Sequence, residues 1–342
     1  MKIIEIDAET TFVNDPVAPS LSLSGLDLLA HKYGLSEKKQ HGFYFGQNTE
    51  AQLHDIFRML DSKAYIPPFK LKGLSKSYLV FSGVLELFFF NDAGRAYDFR
   101  RLSASSSGLP FYLRVPQNTW HGYRCLGEEP CLLKETICGP YANGRLKVSP
   151  FAPNDASDFE SGHSWYSMLK RELTTQDIHR PDDEIFEQES DNVFRSFSQI
   201  VSVNLDQLNR VKEAAFSSPL KRARLCCHSG PEEKLQEMFI ALANGANIAE
   251  SVHIRKDESL TLISGKGRYL FFNQDGTQRD IFSLGSITEK PEKSDRFYTR
   301  INRYVPHKIE ISSNMMLIHE ATTGPFNPDD TDYQLWGSPS NA

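Results

Sequence analysis

The chain has no apolar run long enough to cross a bilayer. Its longest, Tyr78–Phe90, covers 13 residues and is broken by Ser82, Gly83 and Glu86, where a spanning helix needs about 20. The opening MKIIEIDAETTF carries Glu5, Asp7 and Glu9 where a secretion signal needs a continuous apolar stretch. These two absences point to a cytoplasmic protein with no membrane partner. Basic charge is not in surplus either. There are 38 Lys and Arg against 44 Asp and Glu, a formal charge of −6, so no electrostatic footprint for nucleic acid exists. Seven acids in Gln176–Asp191 against Arg180 account for the whole imbalance. Cysteine is scarce, five residues with no C-x-x-C, which speaks against four-cysteine zinc and for reduced thiols. Cys125 and Cys131 flank a turn and read as small core residues, while Cys226 and Cys227 face opposite sides of any strand that holds them. Also missing are a Walker loop, a G-x-G-x-x-G after a strand, a G-x-S-x-G and an H-E-x-x-H.

What is present is an internal repeat. With a shift of 182 residues, Phe57–Gly94 lies on Phe239–Gly276 without a gap, and 11 of 38 positions are identical. Chance would give about two or three at typical residue frequencies. At a shift of 186, Phe111–His121 lies on Phe297–His307, sharing Phe, Tyr, Arg and the final His. At 185, Glu135 and Gly139-Pro140-Tyr141 fall on Glu320 and Gly324-Pro325-Phe326. The 342 residues therefore divide into halves of 1–155 and 195–342, joined by a helical and acidic linker over 156–194.

The repeated unit reads as β. Lys76–Phe90 and Leu260–Phe272 are rich in β-branched and aromatic residues and are each interrupted by Ser-Gly. Asn91–Gly94 and Asn273–Gly276 are tight turns. Short strands with regular turns indicate a sandwich or barrel. Helices are expected at Leu26–Tyr33, Leu205–Ala215 and Phe159–Leu173, whereas Leu53–Leu60 and Lys234–Leu242 suit either helix or strand.

At these blocks the sequence resembles the cupin superfamily, and more narrowly the WbuC-type cupin-fold metalloproteins often encoded among surface-polysaccharide genes. The second half carries the resemblance in Arg222-Ala223-Arg224 with His228, then Ser251-Val252-His253, Glu258, Gly265, Asn273–Gly276, His307, and Glu320 before Gly324-Pro325-Phe326. The resemblance implies a mainly β fold of two cupin-type barrels in tandem, double-stranded β-helices with short helical additions. It also implies one divalent transition metal (Fe, Mn, Ni or Zn) held by His253, Glu258 and His307. Two imidazoles and one carboxylate suffice for such an ion and leave positions open for substrate. Ser251 replaces a further family histidine and is a poor ligand. In the first half the matching positions hold Phe69, Leu71 and Lys76, with His121 left alone. That barrel is read as having lost its metal, with Phe69 and Leu71 filling the cavity and Lys76 at the vacated cation position.

Other candidates follow from position. Arg114 and Arg300 recur in F-Y-x-R, either aimed into a cavity as anchors for an anion or solvated. Tyr298 shares a face with Arg300 and is, with Glu320, a candidate catalytic residue. Arg222, Arg224 and His228 match an early basic cluster that would meet an anionic ligand at the barrel mouth, or a solvated face. Glu320 is a candidate general base or a partner of a ligand histidine, and His319 beside it must face the other way. The expected function is a metal-dependent enzyme acting on a small polar or anionic metabolite, in surface-sugar or specialised-metabolite biosynthesis. The alternative is a non-catalytic bicupin that binds a small anionic ligand or serves as a scaffold. The resemblance adds a homodimer.

Overall fold

Two helices show how far the duplication reaches. Leu23–Leu35 and Leu205–Ser217 lie 182 residues apart at both ends. Side-chain caps set where each begins. Ser22 accepts from the Gly25 amide, and Asn204 forms a reciprocal capping box with Gln207. The caps start the first helix three residues before the expected Leu26. A third helix, Phe159–Glu172, lies between the halves. The computed structural model describes residues 2–333 apart from 8, 16–17, 47, 49, 105–107, 141–143, 154–158, 174–185 and 290. Among these, no helix is long and apolar enough to cross a membrane.

The segments that suited helix or strand are strands, Leu53–Leu60 and Leu235–Ala243. Each is buried on both faces, one against a barrel interior and one against the other barrel. Clean alternation of apolar and polar residues is therefore lost. The second unit begins earlier than residue 195. Phe186–Ser190 and Val193–Ser196 form a hairpin whose second strand runs parallel to Arg222–Cys226. This matches Lys2–Asp7 and Thr10–Asn14, which join the first unit beside Gln40–Phe45. Part of the acidic stretch, Glu187 to Asp191, is thus the solvent face of an edge hairpin rather than linker. The rest of it, with His179, lies outside the described residues.

The architecture is two cupin-type β-barrels in tandem with short helical additions. In the first, an eight-stranded sheet faces a five-stranded one. In the second, a single contact between Leu284 and Arg296 joins the layers, so thirteen strands form one continuous sheet. Each barrel has its own apolar interior. The first holds Leu60, Tyr78, Leu87 and Leu133, and the second Leu260, Leu262, Tyr269 and Ile318. The Ser-Gly pairs recur because the glycines take φ +78° and +91°. A side chain on Gly83 would stand 2.8 Å from Cys131 Cα, and one on Gly265 2.3 Å from the Met315 carbonyl. All five cysteines are buried and none forms a disulfide.

The halves are tied by exchanged strands. Ser20–Ser22, from the first half, pairs with Arg296–Ile301 in the second barrel. Val201–Val203, from the second, pairs with Tyr112–Val115 in the first. Between the barrels runs a polar seam with matching contacts in both directions. Arg114 donates to the Leu235 carbonyl at 2.9 Å and Arg300 to the Leu53 carbonyl at 2.6 Å. The Tyr112 hydroxyl donates to Glu237 and that of Tyr298 to Asp55, each at 2.9 Å. The recurrence of F-Y-x-R is therefore the signature of this seam. This corrects two expectations. Arg300 neither lines a cavity nor meets solvent, being fully buried with Asp257 as its ion-pair partner at 3.0 Å. Tyr298 is fully buried in the seam with its hydroxyl committed to Asp55, and does not open on the barrel interior where a catalytic role was expected. Both face the other barrel because strand side chains alternate, while Ile301 faces inward.

Candidate metal centre

Three strands meet at one end of the second barrel. Ser251 lies directly opposite His307 in the antiparallel pair, so Ser251, His253 and His307 share a face. Glu258 opens the next strand. His253, Glu258 and His307 are each at most 6% exposed, and their nearest ligand atoms all lie within 4.8 Å of one another.

His307 gives its Nδ1 proton to the Val305 carbonyl at 2.9 Å, which leaves Nε2 with its lone pair. Burial, ahead of every other cause, holds this imidazole below its usual pKa, so it is neutral. His253 Nδ1 sits 3.2 Å from the Thr331 hydroxyl. Its Nε2 converges on Glu258 Oε2 yet has no hydrogen bond of normal geometry. A buried ring nitrogen left in this state fits a metal position. Burial pushes the Glu258 carboxyl up, but His253, His307 and Lys256 outweigh it and bring the pKa to about 2. Two imidazoles and one carboxylate form a set suited to a divalent transition metal.

Glu320 faces the same interior, its backbone paired with Leu260. Burial first, and the Glu258 charge second, raise it to about 7. His319 points the other way, into the seam beside Glu237. The early basic cluster divides. Arg224 is exposed and its charge reaches Glu320, whereas Arg222 is half-buried on the same face. His228 departs from the expected mouth position. It is buried against the backbone of Glu237, where burial lowers it to about 4, so it supplies no charge to a ligand.

The matching site in the first barrel is built differently. His121 spends both ring nitrogens, Nδ1 on the Thr119 carbonyl and Nε2 on the Tyr78 hydroxyl. Lys76 pairs with Glu135 at 3.0 Å. Phe69 and Leu71 do not fill the interior as expected. With Lys76 they line a cavity of about 340 Å³. Another cavity, of about 370 Å³, runs along Ser229–Lys234 and touches none of the candidate ligands. Sequence reasoning also missed Asp55, Glu237 and Lys134, the charged groups of the seam. The duplicated F-Y-x-R was the available signal for them.

A sequence family described as a domain of unknown function (DUF6016) matches residues 203–284. No curated protein matches. Among solved structures, the chain is similar to salicylate 1,2-dioxygenase from Pseudoaminobacter salicylatoxidans, with a TM-score of 0.63 at 13% identity over 95% of this chain and 90% of that one. A mutant of that enzyme in complex with gentisate gives 0.61 at 12% identity over 95% and 88%. A mutant of oxalate decarboxylase from Bacillus subtilis gives 0.43 at 11% identity over 92% and 74%. At these identities the likeness is one of fold, and it extends over both barrels.

Proposed function

We infer that the protein is a metal-dependent cupin enzyme whose centre is the second barrel and whose substrate is a small polar or anionic metabolite. The observation that carries this reading is the convergence of His253, Glu258 and His307 within 4.8 Å, with one ring nitrogen left unpaired. Bound there, a divalent ion would polarise a substrate oxygen or, if redox-active, support oxidation. The chain's own residues do the rest. Val305 and Thr331 orient the two imidazoles. Leu260, Ile301 and Ile309 belong to the apolar cluster of the same barrel interior. Glu320 is placed to hold or pass a proton at its carboxylate on the same face. Arg224 supplies positive charge beside it for an anion. Ser251 stands where a further ligand would be and can hold a water. The dioxygenases that share the fold are named for a small aromatic acid, which is consistent with an anionic substrate. Surface-sugar biosynthesis is favoured by the likeness of the motif order to WbuC-type proteins.

Elemental mass spectrometry on protein purified without a histidine tag tests the reading. Wild type is expected to hold about one transition-metal equivalent per chain, with the ion's identity separating oxidation from isomerase or lyase chemistry. His253→Ala and His307→Ala should each lose it, and His121→Ala should keep it. Equal metal in all four proteins, or none after reconstitution with Fe(II), Mn(II), Ni(II) and Zn(II), would overturn the assignment.

A further inference from the structure

The two barrel interiors carry different ionisable groups. In the second, the carboxyl groups of Glu258 and Glu320 share the interior with two imidazoles, a set that suits a cation. At the matching places in the first barrel, Lys76 replaces Glu258 and Arg58 replaces Ile240, while Glu135 keeps the position of Glu320. The other ionisable groups of the first interior are neutral. Burial lowers His121 to about 3 and His54 to about 4, and it raises Tyr78 and Tyr123 well above the usual range. Two cations against one carboxylate leave one positive charge uncompensated.

That charge borders open space. Lys76, Arg58 and Glu135 all line the cavity of about 340 Å³. Glu135 is already satisfied, accepting from Lys76 at 3.0 Å, Arg58 Nε at 3.2 Å and the Tyr123 hydroxyl at 2.6 Å. Lys76 is not. It is 5% exposed, and its one hydrogen bond among the described residues is to Glu135, although an ammonium has three N–H donors. The rings of Phe69 and Tyr78, each centred 4.8 Å from Nζ, offer no lone pair. A buried cation with idle donors beside a cavity calls for an acceptor. The rest of the lining is mostly apolar, with Ile56, Phe69, Leu71 and Ile137 beside the polar Gln40, Tyr44, His54 and Tyr123, and with Leu146 and Val148 half-exposed at the rim.

We propose that the first barrel is a metal-free binding site for a small monocarboxylate with an apolar body, its carboxylate on Lys76 and Arg58 and its body along Ile56, Leu71 and Ile137. A single negative charge balances the cluster, whereas a phosphate dianion would overshoot it within apolar walls. At about 30 Å³ per water, the cavity has room for roughly ten non-hydrogen atoms. This site is separate from the metal centre and does not depend on it.

The test is calorimetric titration of the full chain, stripped of metal with chelator, using hexanoate and benzoate as probes. Hexanamide, the uncharged counterpart of hexanoate at the head group, is the control. The expected result is sub-millimolar binding of at least one acid, at one site per chain, with the amide at least tenfold weaker. Lys76→Met should weaken the acid at least tenfold. His253→Ala and His307→Ala should leave it unchanged, so failure of the metal reading would not disturb this one. If Lys76→Met does not fold, Val148→Trp, a rim substitution at a half-exposed position, should block entry and abolish binding. Acid and amide binding alike, binding that survives both first-barrel variants, or no binding up to about 1 mM would each overturn the proposal.

Discussion

The seam between the barrels makes a quantitative prediction. Asp55 and Lys134 are both fully buried, with Oδ1 and Nζ 3.3 Å apart. Asp55 also accepts from the Thr136 hydroxyl at 2.7 Å and from Tyr298 at 2.9 Å. Burial works against its charge, but Lys134 and the surrounding hydroxyls prevail and hold the pKa below the ordinary value. Asp55→Asn keeps the shape, removes the charge, and turns one acceptor into a donor facing other donors. Lys134 would then stay buried with the Thr261 hydroxyl, 2.9 Å away, as its remaining hydrogen-bond partner. Breaking a buried pair in this way costs about 3–5 kcal/mol, a large part of a total stability of about 5–15 kcal/mol. With a urea dependence of about 3 kcal/mol/M, the midpoint should fall by about 1–1.7 M. Removing both charges, with Asp55→Asn and Lys134→Met together, should recover about 2 kcal/mol or more, because no orphaned ion remains. Urea unfolding followed by circular dichroism reads all four corners of the cycle. A single-variant loss below about 1 kcal/mol, or strictly additive effects, would refute the claim that this buried pair stabilises the fold as a coupled unit.

Three further outcomes are expected. Glu135 has a folded pKa of about 2 against an ordinary 4.5. Burial opposes that shift, but Lys76 and Arg58 outweigh it. The group's stabilisation is therefore present above pH 4.5 and is lost as pH falls towards 2, about 3 kcal/mol in all. Lys76 partly offsets this, since burial holds its own pKa below the usual lysine value and its charged form costs stability at neutral pH. The stability gap between wild type and Glu135→Gln should thus narrow between pH 5 and pH 2, and a constant gap in acid titration would contradict the assignment. Gly83→Ala and Gly265→Ala should each cost more than the roughly 1–2 kcal/mol of the left-handed backbone alone, because both meet backbone atoms. Thermal melts showing a neutral effect would be decisive against it. Metal should raise the melting temperature of wild type and His121→Ala, but not that of His307→Ala, and an equal rise in all three would place the ion elsewhere.

The fold was legible because the duplication wrote it twice. Tight turns, Ser-Gly breaks and β-rich runs recur at nearly constant offsets, and each marks a backbone requirement that local sequence can express. The candidate ligand set came from the resemblance in motif order and not from the duplication, since the first half holds Phe69, Leu71 and Lys76 at the matching places; the strand pairing then brings His253 and His307 to one face. The direction of F-Y-x-R was not legible. A strand's two faces are equivalent in sequence when both are buried, and which one meets the other barrel depends on the exchange of Ser20–Ser22 and Val201–Val203. Three-residue strands pairing across the whole chain leave no periodic trace. The open cavity was hidden too. Phe69 and Leu71 are large enough to plug a barrel, and only their packing shows that they line it instead.

Positions shared by the halves and positions that differ therefore carry different information. Arg114 and Arg300, Tyr112 and Tyr298, and Gly83 and Gly265 match because the seam and the hairpins need them in both directions. Phe69 and Ser251, Leu71 and His253, Lys76 and Glu258, and Arg58 and Ile240 differ, and these are positions that line the two barrel interiors. Glu135 and Glu320 link the two groups. The same carboxylate, at the same place, is held near pKa 2 beside Lys76 and Arg58 and raised to about 7 beside Glu258. Its chemistry is set by the residue opposite. If Lys76 were replaced by the Glu258 of its counterpart, Glu135 would lose its principal countercharge and meet a second acid, and the remaining Arg58 could not compensate both. Conversion of the first barrel to a metal site therefore requires Lys76, Arg58 and Leu71 to change together. A single Leu71→His exchange should bind no metal, because it would place one imidazole beside an ammonium that already repels the ion.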